Sequence, residues 1–455
     1  MFDLVHGSFA KHGDRCFLEE KRGVLIISEA LLEKKRDDIP KKGVLSALVP
    51  HLQRPDRFSL TCDLPNETVL LADQTTVTLS NIEISVKLFF VLLEKTRVTA
   101  GGAFSITEHI YKEDCIREHG MAREAPFWLE RHRAVSSLAL ENIERMALSS
   151  IGCSLKKIDL SDTGLINILP KLGINEDSEV KDLRLSADKE AHVAAVLEHE
   201  KPFCVGRVKR MWLKGYAVGV LAKLRVHKDC EVESLDLVAS EKTHVTAVLE
   251  QEKPFCVGRV KNMRLWDYAV CVVTKTGHED CEVEYLRMFA NKEAHVAGIL
   301  KQEKHFCVGR VKEMWLEEYA VGVITKMSLK DCGVEDLRLY ASEEPHVAAV
   351  LAQENPLSVG GVKRVNIWGY AVSVITKMTI HEDNTMESFV LRGQEDHFSK
   401  ILGEKDRSID LGRIRTDGLR VPERIKRKLR YTLVDGEGKE VLEEEEPGQR
   451  GNLLE

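Results

Sequence analysis

The sequence predicts an α/β solenoid with parallel β-strands on one face and helices on the other, and three observations predict it. Four near-copies of one sequence recur at a nearly fixed period, each copy contains two strand-like segments of the same shape, and helix-like segments separate the strands. Units that bury only one side must stack on their neighbours, and stacking makes the strands a continuous parallel sheet.

The repeat is visible in two strings. FCVGRVK begins at Phe203, recurs at Phe255 and Phe306, and decays to LSVGGVK in the fourth copy. YAVGVLAK begins at Tyr216 and keeps the same step in YAVCVVTK, YAVGVITK and YAVSVITK. The period is therefore 51 to 52 residues, and the four tandem copies span about residues 178–384.

The strand-like segments share an apolar residue that is followed three and five places later by two more, as in VESLDL. The nine segments begin at Val180, Val208, Val232, Val260, Val283, Val311, Val334, Val362 and Met386. Their step alternates between 28 and 23 or 24 residues. Between them, strings such as HVAAVLEHEK from His192 place Val193, Val196 and Leu197 on one helical face, which predicts a helix.

These residues resemble the leucine-rich-repeat family, whose consensus runs LxxLxLxxN/CxL. The best local match is LKKIDLSDTGL from Leu155 to Leu165, and the resemblance covers at least residues 135–392. The alternating long and short step is similar to the ribonuclease-inhibitor-like subgroup in spacing rather than in residues. The resemblance implies a horseshoe-shaped solenoid with the parallel sheet on its concave face and helices on its convex face.

The ninth consensus place, an Asn or Cys that bonds the turn backbone in the family, is filled differently in the two kinds of subunit. In one kind it holds polar stand-ins, namely Asp188, Ser240, Asn291 and Ser342. In the other kind it holds Tyr216, Tyr268, Tyr319 and Tyr370. The tyrosines depart from the family pattern, so the usual side-chain ladder is not expected at those turns.

The chain divides into four predicted regions. Residues 1–57 form an N-terminal helical cap, based on GVLIISEALLEKK and GVLSALVPHL, with a separate binding module as the alternative. Residues 58–134 hold degenerate repeats, in which VTLSNIEI is a strand and VKLFFVLLEK a helix. Residues 135–395 are the array, with VSSLALEN as a further strand, and residues 396–455 are a C-terminal cap. That cap contains a helix after Pro422, a turn in DGEG and an acidic tail in EEEE.

The composition disfavours several classes of function. A formal net charge of -7 argues against a surface built throughout to neutralise phosphates. The eleven cysteines contain no CxxC pair, and the N-terminal residues show no signal-peptide pattern, so we expect a reducing, cytoplasmic location, with the nucleus as the alternative. The longest apolar run, VKLFFVLL, is far shorter than the roughly 20 residues that cross a bilayer, and no membrane span is expected.

Catalytic and metal motifs are missing from the sequence. It contains no P-loop, no GxGxxG after a strand, no GxSxG and no HExxH, so we expect no enzyme and no cofactor; an enzyme or enzyme activator of unrecognised type remains the alternative. Histidines and cysteines recur in the repeat at His192, His244, His295 and His346 and at Cys204, Cys230, Cys256, Cys281, Cys307 and Cys332. Equivalent residues two strands apart are separated by about 10 Å, too far to share one zinc ion, so we expect structural roles and no metal.

The solvent side of the sheet carries the functional prediction. When each strand is numbered from its first apolar residue, places one, four and six point into the core and places three, five and seven point outward. Tryptophans occupy place five or seven in four strands. The predicted partner-binding residues are Trp212, Trp266, Trp315, Trp368, Tyr285, Phe289, Tyr340, Arg264, Arg287 and Arg338. The alternative, that the rings are core, requires them to break the register that the apolar residues keep.

A protein is the expected partner. Exposed aromatic residues and arginine are typical of binding hot spots, and acids at Asp182, Asp236, Glu313, Glu317 and Asp336 would repel phosphates. The sequence therefore predicts a non-enzymatic scaffold. The alternative is an RNA or ribonucleoprotein binder that uses these arginines and a C-terminal basic patch of Arg424, Lys426, Arg427, Lys428 and Arg430; a solvated helix face is the structural interpretation of that patch.

Overall fold

A computed structural model describes residues 8–35, 51–120 and 125–441, apart from Lys228, Lys253, Cys256, residues 277–281 and Glu382. The chain forms a first unit, residues 1–231, and a second unit, residues 232–455. A twelve-stranded sheet with parallel strands runs through the repeats. The predicted α/β fold with a long parallel sheet is confirmed.

The first unit contains eighteen described strands. The first ten are β1 Ser8–His12, β2 Arg15–Glu20, β3 Gly23–Ser28, β4 Arg57–Leu60, β5 Val69–Ala72, β6 Thr76–Leu79, β7 Ile82–Ser85, β8 Arg97–Ala100, β9 Phe104–Thr107 and β10 Ile116–Glu118. The next eight are β11 Phe127–Arg131, β12 Ile151–Gly152, β13 Leu155–Ser161, β14 Leu172–Gly173, β15 Glu179–Ala187, β16 Phe203–Cys204, β17 Arg207–Gly215 and β18 Leu224–Arg225.

Helices connect these strands. The α-helices of the first unit are Glu29–Lys35, Val86–Lys95, Ser137–Arg145 and Ala194–Leu197, and its 3-10 helices are Leu165–Lys171, Glu190–His192 and Tyr216–Ala222. In the first unit the long sheet contains β11, β13, β15 and β17 in parallel register. The strand at LKKIDL and the helix at VKLFFVLLEK agree with the sequence prediction.

The N-terminal region differs from the predicted helical cap. Its described part holds three antiparallel strands, β1 to β3, and one helix, Glu29–Lys35. Val24, Leu25, Ile26 and Ile27 in β3 are all fully buried, so both faces of this strand are covered. A continuous apolar run does not distinguish a buried strand from a buried helix, which explains the error. Most of GVLSALVPHL lies outside the described residues.

VSSLALEN is a helix and not the predicted strand. The helix spans Ser137–Arg145, and the Ser136 hydroxyl accepts a hydrogen bond from the Ala139 N–H at 3.2 Å. A capping serine supplies a partner for an N–H group that the helix itself leaves unpaired. Ala139, Asn142 and Ile143 then share the buried face at helical spacing. The strand of this repeat is β11, which lies upstream of the predicted position.

The second unit contains thirteen strands within the described residues. They are β19 Glu231–Ala239, β20 Arg259–Asp267, β21 Glu282–Ala290, β22 Arg310–Glu318, β23 Asp336–Ala341, β24 Leu357–Ser358, β25 Arg364–Gly369, β26 Met378–Thr379, β27 Thr385–Met386, β28 Ser388–Arg392, β29 Ile409–Arg415, β30 Leu419–Arg420 and β31 Leu429–Val434. The long sheet continues here in the order β19, β20, β21, β22, β23, β25, β28 and β30.

Short helical turns connect these strands. The α-helices are Thr243–Leu249, Ala297–Leu300, Leu329–Cys332, Ala348–Leu351, Ser399–Gly403 and Glu423–Lys426, and the 3-10 helices are Tyr268–Lys275, Glu293–His295, Tyr319–Lys326, Glu344–Val347, Tyr370–Lys377 and Glu395–Phe398. The segments that contain His295, His346 and His397 form one 3-10 turn followed by about one α-helical turn, whereas His244 lies in the seven-residue α-helix Thr243–Leu249. A helix follows Pro422 as predicted, and the acidic tail lies outside the described residues.

Each repeat buries its first, fourth and sixth strand places. In β20, Val260, Met263 and Leu265 are buried. Leu286 and Met288, which face Met263 and Leu265 in β21, are buried as well. The core therefore lies between the strands and the 3-10 helices, whose Ala269, Val270 and Val272 equivalents are also buried. Within the described residues, no helix is long and apolar enough to span a bilayer.

Candidate functional site

The predicted ring-bearing residues lie on the opposite side of the strands from this core. Trp266, Trp315 and Trp368 in the second unit are partly exposed and alternate with buried residues along their strands. Tyr340 is 36% exposed. Large side chains on this side are therefore in contact with solvent along one edge while they pack against one another. We call the outward residues of β20, β21, β22, β23 and β25 the strand face.

Two rows of the strand face carry most of the predicted residues. Row five, at place five of successive strands, contains Arg264, Arg287, Trp315, Arg338 and Asn366. Row seven contains Trp266, Phe289, Glu317, Tyr340 and Trp368. Residues in one row are direct neighbours, because parallel strands lie about 4.8 Å apart. The structure thus brings together nine of the ten partner-binding residues predicted from the sequence, with Tyr285 at place three of β21.

Arg287 on β21 lies between two tryptophans of the strand face. Its guanidinium carbon is 4.3 Å from the centroid of the Trp315 ring and 5.1 Å from that of Trp266. The Trp266 ring also packs against Phe289, with ring centroids 5.3 Å apart. A cation over an indole ring is attracted to the negative face of the ring, and this interaction is worth about 0.5 to 2 kcal/mol. These four side chains therefore pack as one cluster.

Glu317 fixes the orientation of Arg287. The Arg287 guanidinium donates two hydrogen bonds to the Glu317 carboxylate, and the second spans 3.2 Å from Nη2 to Oε2. Only 7% of Glu317 is exposed, although it lies between the rings of row seven. The Glu317 carboxylate raises the pKa of Arg287 above its ordinary value, against the opposing effect of burial. The ion pair therefore orients a charged guanidinium between the two tryptophans.

The other arginines of the strand face are also paired with acids. Asp336 is buried and accepts from both Arg338 and Arg364, at 3.1 Å in each case. Arg264 lies 3.4 Å from Asp236, and Arg338 also contacts Glu313. These carboxylates raise the pKa of Arg338 and of Arg364. The positive charge of the face is consequently neutralised residue by residue.

Two further groups on the face have unusual environments. Burial raises the pKa of the Tyr285 hydroxyl, which Arg287 and Arg338 partly oppose, so this tyrosine stays protonated at neutral pH. The indole Nε1–H of Trp315 is buried and has no hydrogen-bond partner within the described residues. An unpaired buried donor costs about 1 to 3 kcal/mol of stability.

The first unit carries its own outward rings. Trp212 is partly exposed on β17 and is a direct neighbour of Arg184, and Arg210 pairs with Asp182 at 2.7 Å. Trp128 on β11 is 58% exposed, and the Lys157 Nζ lies 5.7 Å from its ring. The repeat pattern does not identify Trp128, because FWLERH lacks the three-apolar shape. Its alternation, with buried Phe127 and Leu129 on either side, could have identified it.

Most of the C-terminal basic patch is paired with acids. Arg424 lies 2.5 Å from Glu395, Lys426 lies 2.6 Å from Glu423, and Lys428 lies 2.8 Å from Asp406. Arg430 pairs with Asp410. Lys428, and to a smaller extent Arg427, lowers the pKa of Asp406. The patch contacts acidic side chains of its own unit, which favours the solvated-face interpretation.

His295, His346 and His397 are each the third residue of a short 3-10 turn, whereas His244 lies in the α-helix Thr243–Leu249. Each of the three histidine rings packs against the tyrosine that begins the preceding 3-10 helix, with centroids 4.5 to 4.6 Å apart. These tyrosines, Tyr268, Tyr319 and Tyr370, stand at the ninth place of their strand segments. Among the residues that the structure describes, no three His, Cys, Asp or Glu side chains are arranged to hold a metal ion.

Comparisons with known proteins add no identity to this description. No protein-family model, no curated protein and no solved structure matches this chain significantly.

Proposed function

We propose that this chain is a leucine-rich-repeat-like solenoid that acts as a non-enzymatic scaffold and binds a protein partner on its strand face. One observation supports the proposal most strongly: Arg287 is held between Trp266 and Trp315 and fixed by Glu317. Trp and Arg dominate binding hot spots, and side chains that are already ordered lose little entropy when a partner binds.

The shape of the apolar surface supports a protein partner. Trp266 and Phe289 form one apolar end of row seven, and Tyr340 and Trp368 form the other, with the Arg287–Glu317 pair between them. The outermost rings of the two clusters, Trp266 and Trp368, are four strand spacings apart, roughly 19 Å. That length suits an extended or helical segment with apolar side chains at both ends and a polar centre.

Charge favours protein over RNA. Nucleic-acid binding depends on free cations that displace counterions from phosphates. Here Arg264, Arg287, Arg338 and Arg364 each contact a carboxylate on their own or a neighbouring strand. Phosphates would have to compete with these acids. RNA is therefore the less favoured ligand, and the experiment below distinguishes it from a protein.

Site-directed photocross-linking tests the proposal. A benzophenone amino acid replaces Tyr340 on the strand face, and in a second protein it replaces Tyr111, which is 63% exposed on the first unit and is the matched control. Both proteins are expressed in the native cell and irradiated. We expect one protein species cross-linked from position 340 and absent from position 111, with and without ribonuclease. Cross-links to RNA, or the same proteins from both positions, would refute the proposal.

A further inference from the structure

Two thiols of the second unit are in direct contact. The Sγ atoms of Cys307 and Cys332 lie 3.1 Å apart. Cys307 is partly exposed and Cys332 is buried. Cys307 precedes β22 and Cys332 precedes β23, so the contact joins two successive strand-bearing segments that Phe306 and Met327 already bridge through their backbones.

The same two positions recur in the repeat. They hold Cys204 and Cys230 in the first copy, Cys256 and Cys281 in the second, and Cys307 and Cys332 in the third. The fourth copy has Ser358 and Asn384, so a single copy lacks both cysteines and no copy keeps only one. Cys256 and Cys281 lie outside the described residues.

A capping role explains only part of this pattern. The Cys230 thiol donates to the Val208 carbonyl at 3.1 Å, and the Asn384 amide donates to the equivalent Val362 carbonyl at 2.7 Å. The second position of the pair can therefore cap the backbone with either residue type. The first position also contacts the backbone, because the Cys204 sulfur accepts from the Gly206 N–H at 3.3 Å and the Cys307 thiol lies 3.6 Å from the Gly309 carbonyl oxygen. Backbone capping gives no reason for the direct contact of two sulfurs in the third copy.

We propose that Cys307 and Cys332 are a reversible dithiol–disulfide pair that exchanges with low-molecular-weight disulfides such as glutathione disulfide. The accessible Cys307 thiolate attacks one sulfur of the small disulfide, which releases one thiolate and forms a mixed disulfide. The Cys332 thiolate then attacks the Cys307 sulfur and releases the second small thiolate. The two protons of the cysteines pass to the two released thiolates. The protein loses two electrons and the small disulfide gains them.

The bond would close the chain between residues 307 and 332 and tie the segments of β22 and β23 together. A cross-link lowers the entropy of the unfolded chain, so the oxidised protein should unfold at a higher temperature, by several degrees. The inference does not depend on the proposed function, because it rests on the thiol contact alone.

The test exposes the full-length chain to glutathione buffers of stepped ratio, followed by alkylation, intact mass and non-reducing peptide mapping. We expect a Cys307–Cys332 peptide pair that has lost two hydrogen atoms and is restored by dithiothreitol. Cys332→Ser should stop at a glutathione adduct on Cys307, and Cys307→Ser should leave Cys332 a thiol. Cys271 is an internal control, because burial raises its pKa to about 11 and its thiol donates to the His295 carbonyl.

Three results would overturn the inference. Cys307 and Cys332 could both remain thiols at every buffer ratio, which would leave them as backbone caps only. Cys307 could accept glutathione in the wild-type chain without releasing it to Cys332. Either cysteine could pair preferentially with a different cysteine. Each result is read from the peptide map of the wild-type protein, so it does not depend on how the variants fold.

Discussion

The guanidinium carbon of Arg287 lies 4.3 Å from the ring centroid of Trp315, its direct neighbour on the next strand. The contact orients the Arg287 guanidinium and the Trp315 ring with respect to each other. It exists because places five of β21 and β22 are in register, and because Glu317 holds the far side of the guanidinium. The proposed function depends on this cluster.

Glu317→Gln should destabilise the second unit. The change removes the carboxylate that neutralises Arg287 and leaves a partly buried cation between two rings, which should cost about 2 kcal/mol. Urea unfolding followed by tryptophan fluorescence measures the loss. The matched control is Glu313→Gln, after which Arg338 keeps Asp336 as a partner at 3.1 Å and the loss should stay below about 0.5 kcal/mol. Equal midpoints for the two variants would contradict a structural role of the pair.

Gly369→Ala should destabilise the turn after β25. Gly369 has a φ of 62°, and an added Cβ would lie 2.1 Å from the Ala341 carbonyl oxygen. Backbone strain of this kind costs about 1 to 3 kcal/mol. Gly298→Ala is the control, since nothing lies within 4 Å of its added Cβ, and we expect it to be neutral or slightly stabilising. Thermal unfolding compares the two, and an unchanged midpoint for Gly369→Ala would show that the turn relaxes.

Stability should fall as the pH is lowered from about 7 towards 5. Burial lowers the pKa of His295, more than Asp267 raises it, and burial also lowers the pKa of His244. A histidine whose pKa is lower in the folded state binds its proton more readily when unfolded, so acid favours unfolding below the ordinary pKa of about 6.5. Stability from this source is fully present above that pH.

The variant His295→Gln should flatten this pH dependence. Urea midpoints measured at several pH values give the slope for wild type and variant. His381→Gln is the control, because His381 is exposed, and its slope should match the wild type. The explanation fails if His295→Gln keeps the full wild-type slope.

Arg287→Lys should weaken partner binding although the charge is retained. A lysine ammonium cannot form the planar two-bond contact with Glu317 or lie flat against two indoles. We expect about a tenfold rise in Kd, measured by calorimetry with the cross-linked partner once it is purified. Lys363→Arg, a change outside rows five and seven, is the control and should leave Kd unchanged. An unaltered Kd for Arg287→Lys would remove the stacked cation from the binding site.

Sequence periodicity predicted the repeat and the strand register correctly, because each strand must bury one face and a shift by one residue would expose Val260, Met263 and Leu265 together. The lengths and the ends of the helices were harder to predict from the sequence. The predicted helices between strands are mostly single turns, since the Tyr–His ring contacts and not a long apolar stripe hold those turns. The apolar spacing of VSSLALEN matches the repeat strands and predicts a strand, whereas the Ser136 cap favours the helix that is observed.

The rings of the candidate site could be located from the sequence, but their partners could not. Alternation placed Trp266, Trp315 and Trp368 on the outer side of the sheet. The pairing of Arg287 with Glu317 depends on row positions in two strands 30 residues apart and on side-chain geometry that no local pattern encodes. The same applies to Asp336, which the sequence presented only as a repulsive acid and which the structure shows buried between two arginines.

The affinity of the cross-linked partner for Trp368→Ala tests the central claim most directly. Trp368 lies at one end of the strand face beside Tyr340, and its loss should cost about 2 kcal/mol of binding, roughly a thirtyfold rise in Kd, with an unchanged circular dichroism spectrum. Tyr111→Ala should bind as the wild type does. A wild-type Kd for Trp368→Ala would contradict binding of the partner at the strand face.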